Sequence, residues 1–121
     1  WLSGMRAEAG LRRTAALFDI WNPAAGTIDQ IQTALAQIAA HRPEGREPVE
    51  VYQRLFTEPP FVVPGVQPNT IADLADAVAA ARQAGFAHVI VDTAFTTEVA
   101  SPQDWAEFPA RLAPILAAAE V

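Results

Sequence analysis

Apolar positions along the chain fall into two alternating rhythms. Stretches with apolar residues three or four apart read as amphipathic helices, and short dense runs of β-branched and aromatic residues between them read as strands. Residues 1–4 read as the tail of a strand. AEAGLRRTAAL, residues 7–17, predicts a short helix that turns Leu11, Ala15 and Leu17–Phe18 toward a core and is weakened at Gly10. FDIWNP is a short strand stopped by Pro23. The clearest helix follows it. Thr27 and Gln30 make a T-x-x-Q capping box, Ile28, Ile31, Leu35 and Ile38 recur at helical spacing, and Pro43 with Gly45 ends the pattern.

The second half continues the alternation. PVEVYQRLF reads as a strand, and Thr57 to Pro68, with Pro59, Pro60, Pro64 and Gly65, as a long loop. A helix from about Thr70 to Ala84 carries Ile71, Leu74, Val78 and Ala81, with Gly85 placed for a left-handed stop and Phe86 as its apolar latch. HVIVDTAF is an apolar strand of the kind buried on both faces. Ser101, Pro102 and Asp104 open a last helix with the stripe Trp105, Phe108, Leu112 and Ile115, which Pro109 and Pro114 are expected to kink or break.

No hairpin signal separates the strands. The predicted fold class is therefore α/β: one domain over residues 1–121, built as four βα units with parallel strands and right-handed crossovers. Two architectures satisfy that order, a small open sheet and half of an eight-stranded (β/α)8 barrel.

Composition narrows the function more than the fold. The chain of 121 residues is 51% apolar and 18% charged, a foldable balance. Its net charge of −6 argues against nucleic acid, because phosphate backbones need clustered Lys and Arg. Arg6, Arg12 and Arg13 are the only basic cluster, enough for one phosphate. With no cysteine and only His41 and His88, disulfides, thiolate chemistry and a His-rich metal site drop out. No apolar run approaches the ~20 residues of a membrane span. The expectation is a soluble, cytoplasmic protein with no metal, membrane or nucleic-acid partner.

The Gly-rich dinucleotide turn, the P-loop and the G-x-S-x-G elbow are all absent. What remains is the opening stretch, WLSG…LRRTAALFDIWNP. It resembles the W-[IVL]-G-G…[AL]-R-R-A-A-x-x-A-D-G-W-x-P segment of the luciferase-like monooxygenases, flavin- or coenzyme F420-dependent (β/α)8-barrel oxidoreductases. Ser3 stands where that pattern has its first Gly, Phe18 where it has Ala, and Ile20 where it has the Gly before Trp21. The later order of elements, closing on TIADLADAVAAARQAGFAHVIVDTAF, is similar as well. The resemblance implies the C-terminal half of a TIM barrel. It also implies open sheet edges, completed by the other half-barrel or by a homo-oligomer.

Barrel active sites sit where strands end. The turn at Ser3, Gly4 and Met5 leads into a helix whose N-terminal N–H groups suit a phosphate, and Arg12 lies on that helix. By resemblance, this turn takes the phosphate of FMN or coenzyme F420. Trp21 either walls a flat heterocycle or serves as a core aromatic, the commoner use of so large a ring, and Asn22 can hydrogen-bond a ring carbonyl, whereas Asp19 reads as structural. Glu50, Tyr52 and Arg54 share one strand face by two-residue alternation, so Arg54 is a candidate to meet an anionic group, with a salt bridge or a plain edge strand as the favoured alternative. Asp92 ends its strand, His88 begins it, and neither has an identifiable catalytic partner in sequence. The competing expectation is a non-catalytic α/β half-barrel module that acts through self-association or partner assembly. The substrate is not legible.

Overall fold

The computed structural model describes residues 2–3, 7–23, 26–57, 68–70, 73–92 and 99–118. Among these, nine elements follow one another: β1 (Leu2–Ser3), α1 (Glu8–Leu17), β2 (Ile20–Asn22), α2 (Ile28–Ala40), β3 (Glu50–Thr57), β4 (Pro68–Asn69), α3 (Leu74–Gln83), β5 (His88–Asp92) and α4 (Pro102–Ala118). Over the described residues the protein is α/β, with four helices and a sheet in which every pairing is parallel. Its body is β2, β3 and β5; β1 and β4 have two residues each. No helix among the described residues is long and apolar enough to cross a membrane.

β3 is the hub of the sheet. It pairs with β2 at Ile20↔Glu50 and Trp21↔Val51, and with β5 from Tyr52↔His88 to Phe56↔Asp92. β4 joins the end of β3 at Phe56↔Pro68 and Thr57↔Asn69. Because Phe56 pairs with both Asp92 and Pro68, β4 and β5 lie on opposite edges of β3. The expected loop from Thr57 to Pro68 is therefore bounded by strand at each end, and residues 58–67 lie outside the described residues.

Helix ends follow the local chemistry closely. The Thr27 N–H donates to Gln30 Oε1 at 3.1 Å and the Gln30 N–H to Thr27 Oγ1 at 3.3 Å, a complete capping box. Before α3, the Thr70 hydroxyl donates to Asp73 Oδ2 at 2.6 Å and the Asp73 N–H to Thr70 Oγ1 at 3.2 Å. The α3 end is a Schellman motif: Gly85 has φ +80°, the Phe86 N–H reaches the Ala81 carbonyl at 3.1 Å, and the Gly85 N–H reaches the Arg82 carbonyl at 2.9 Å. Phe86 is then buried in the core as the apolar latch.

Two core clusters hold the layers together. Leu11 and Ala15 of α1, Ile31, Ala34 and Ile38 of α2, Ala81 of α3, and Phe86 pack with Trp21 and Val51. Leu74 and Val78 of α3 and Phe108 and Leu112 of α4 pack with Leu55, Val89 and Val91. All these strand residues lie on one face of the sheet, by alternation along each strand and by register between strands. Each of the four helices thus covers the same face.

The structure corrects several sequence expectations, the first through this one-sidedness. HVIVD is not buried on both faces: His88 is exposed and Val89 to Asp92 are all half-buried. An apolar run gives no sign of which side a helix will take. Leu17 is 65% exposed because it sits at the end of α1, past the face that carries Leu11 and Ala15. Trp105 is 49% exposed, although Phe108, Leu112 and Ile115 of the same stripe reach the core. α4 runs unbroken through Pro109 and Pro114. Both prolines lie on its exposed side, so the carbonyls that lose an N–H partner there can turn to water.

Candidate functional site

The sheet face away from the helices carries the polar chemistry. On β3 it presents Glu50, Tyr52, Arg54 and Phe56, and on β5 His88, Ile90 and Asp92, the residues registered beside them. Ile20 and Asn22 take this face on β2, because Trp21 between them packs toward the helices. Ser3 is registered to Asn22, and one further step of the β2–β3 register sets Asn22 across from Tyr52, which is registered to His88. One row of positions across the sheet therefore reads Ser3, Asn22, Tyr52, His88.

Asn22 is the unusual member. It is 0% exposed, and neither its Oδ1 nor its Nδ2 has a hydrogen-bond partner among the described residues. A buried amide left in that state costs about 1–3 kcal/mol for each unsatisfied group, so its retention calls for an explanation. Pro23 stops the strand directly after it, which leaves Asn22 at the C-terminal end of β2, where ligands meet parallel sheets. Trp21, one residue earlier, is also 0% exposed and its Nε1 is unpartnered among the described residues. Its ring, however, belongs to the core with Leu11, Ala15, Ile31 and Val51.

Tyr52 is half-buried and His88 exposed. The Tyr52 and His88 rings lie 4.2 Å apart between centroids at an interplanar angle of 52°. Arg54 Nε is 3.5 Å from Asp92 Oδ2, an ion pair too long for a hydrogen bond of good geometry. The Arg54 guanidinium also lies 5.9 Å from the centre of the Phe56 ring.

The other sequence candidates are dispersed. Ser3 ends β1, while Gly4 and Met5 lie outside the described residues. α1 begins at Glu8 behind Ala7, and no side chain caps its first N–H groups. Arg12 is on the exposed side of that helix, where its Nε and Nη2 donate to Glu8 Oε1 at 3.0 and 2.7 Å. Metal-ligand chemistry finds no grouping of three or more His, Cys, Asp or Glu among the described residues.

A second polar assembly, which sequence reasoning missed, lies at the opposite end of β2. Arg42, its side chain 7% exposed, donates to the carbonyls of Ala15, Phe18 and Glu47 and to Asp19 Oδ1 at 2.9 Å. Arg46 donates to the Ala16 carbonyl and to the same Asp19 oxygen, both at 2.6 Å. The two arginines thereby satisfy the carbonyls at the end of α1. The hydrogen bond from Arg42, with Arg46 beside it, holds the Asp19 carboxyl below its ordinary pKa. The signal was HRPEGRE, two arginines in a turn after a helix. What they would reach lay more than twenty residues upstream.

No known protein family, curated protein or solved structure matches this chain.

Proposed function

We propose that this chain is the C-terminal half of a luciferase-like (β/α)8 barrel and contributes to binding a flavin-type cofactor, FMN or coenzyme F420, in an oxidoreductase of monooxygenase type. The observation that carries the reading is Asn22, a fully buried amide with donor and acceptor both unused, on the helix-free face at a strand's C-terminal end. The one-sided helix layer supports it, since a doubly wound open sheet places helices on both faces whereas a barrel strand keeps them outside.

The donor set fits the group. A carboxamide offers an acceptor and a donor together, which complements the alternating carbonyl and N–H edge of a flavin or deazaflavin pyrimidine ring. Ser3, with Gly4 and Met5 after it in sequence and the uncapped start of α1 beyond, would take the phosphate. Arg12 is engaged by Glu8, so its share in phosphate binding requires that pair to open. Trp21 supports Asn22 from the core side and does not wall the ring. Once bound, the cofactor supplies the hydride or oxygen chemistry. The chain's residues hold and orient it.

The test is a titration of this protein into FMN and into coenzyme F420, followed by polarisation of the cofactor's own fluorescence. Saturable binding that is lost in Asn22→Leu is expected. Absence of binding to both cofactors at millimolar protein, or undiminished binding by Asn22→Leu, would end the reading.

A second reading, a non-catalytic module acting by self-association, is favoured by β5. Among the described residues this strand pairs only with β3, and a groove of about 730 Å³ beside it mixes Val78, Phe86, Val89 and Val91 with Arg82 and His88. Sedimentation velocity across a hundredfold concentration range separates the two: dimerisation without cofactor binding supports the module.

A further inference from the structure

The helix-free face holds a second feature that the cofactor reading does not use. Arg54 lies two residues beyond Tyr52 on β3, one strand away from Asn22. Its side chain is 35% exposed, yet its Nε is buried and makes no hydrogen bond among the described residues. Asp92 faces it only at 3.5 Å. A guanidinium is a rigid planar fork whose Nε and Nη donors match the two oxygens of a carboxylate. Here the buried Nε of that fork makes no hydrogen bond among the described residues, and its ion pair with Asp92 is long. Phe56, Tyr52 and Ile90 surround it on the same face, so the ground beside the charge is apolar.

We infer that Arg54 is an anion-binding subsite, which takes the carboxylate of a small substrate whose apolar body lies against Tyr52, Phe56 and Ile90. This deepens the cofactor reading by naming the substrate class of the same face, and it rests on that reading for its place in a reaction. Asp92 is the competitor. Its carboxylate lies near enough to compensate the guanidinium when the subsite is empty, and a bidentate ligand carboxylate displaces it. Glu50, exposed on the same strand face, adds a second negative charge, so only a ligand that contacts Arg54 directly is retained.

The experiment uses benzoate as the probe and benzamide as its neutral counterpart. Both are titrated into the protein without cofactor while the Arg54 Nε–H and the ring protons of His88 and Tyr52 are followed by NMR. Benzoate is expected to shift all three groups saturably and benzamide to leave the Arg54 signal unmoved. Arg54→Gln, checked for an unchanged thermal midpoint, should weaken benzoate by about tenfold or more, as loss of a charged hydrogen-bonding partner does. Arg54→Lys keeps the charge but loses the fork and should fall between. Asp92→Asn removes the competitor and should tighten benzoate. Equal response to benzamide, indifference to Arg54→Gln, or weaker binding by Asp92→Asn would overturn the inference. A protein that binds benzoate but not FMN would keep the subsite and remove the cofactor, so the two failures are distinguishable.

Discussion

Trp21 and Asn22 are consecutive, equally inaccessible to solvent, and committed to opposite faces of β2. The indole is part of the apolar layer under the helices. The amide lies on the side where, among the described residues, no helix packs. Two-residue alternation makes this unavoidable in an extended strand, and it separates a stabilising residue from a candidate functional one by a single step.

The first consequence concerns Asn22. Its two unpartnered polar atoms oppose folding, so Asn22→Leu is expected to raise stability by about 1 kcal/mol in urea denaturation, once the gain from removing them is offset against tight packing. The same substitution should abolish FMN or F420 binding. A stable variant that still binds would separate the amide from the site.

Trp21→Ala should behave in the opposite way. Truncating this fully buried ring removes contacts with α1, α2 and β3 at once and should cost about 3–5 kcal/mol, read from the same denaturation curves. A loss below about 1 kcal/mol would mean that the indole is not the hinge of the core.

Gly85→Ala isolates backbone strain. A Cβ at this position meets nothing within 4 Å, so any destabilisation comes from holding an L-residue at φ +80°. The expected cost is about 1–2 kcal/mol, with the Phe86 latch still seated.

Pro109→Ala and Pro114→Ala should each stabilise α4. Each restores one intrahelical hydrogen bond on the exposed side of an unbroken helix, a gain of about 1–2 kcal/mol after allowing for the greater freedom of the unfolded chain. Thermal melts would show it as a raised midpoint.

Stability should also fall in acid through two carboxyls held below the ordinary value of 3.8. Asp19 is lowered by its hydrogen bond from Arg42 and by Arg46, and Asp104 by its hydrogen bonds from Ser101 and from the Ala100 and Ser101 N–H groups. Folding favours the ionised form of each. Their contributions are therefore present above the unfolded value and lost as pH falls through the lower folded one. Asp19→Asn should flatten the acid limb of a stability–pH curve, and added salt should blunt the effect because the Asp19 side chain is 74% exposed.

Much of this was legible in order along the chain. The Thr27–Gln30 box, the Ser101–Asp104 cap and the Gly85–Phe86 stop depend on residues at most five positions apart. A local pattern is therefore enough to specify them. The positions of β2, β3 and β5 followed from dense β-branched runs between those helices. The polar alternation of Glu50, Tyr52 and Arg54 was readable too, because it lies within one strand.

What the sequence could not decide is which surface each pattern would meet. That Tyr52 lies beside His88, that Arg54 faces Asp92, and that Arg42 caps a helix 27 residues upstream are matters of register and packing between distant segments. By itself the sequence determined the alternation of helix and strand, since hydrogen bonds and caps close over a few residues. Only the tertiary structure decided that every helix takes one face and leaves Asn22 and Arg54 on the other. That choice is made by burying Leu11, Ile31, Leu74 and Phe108 together, a gain no single element can realise alone.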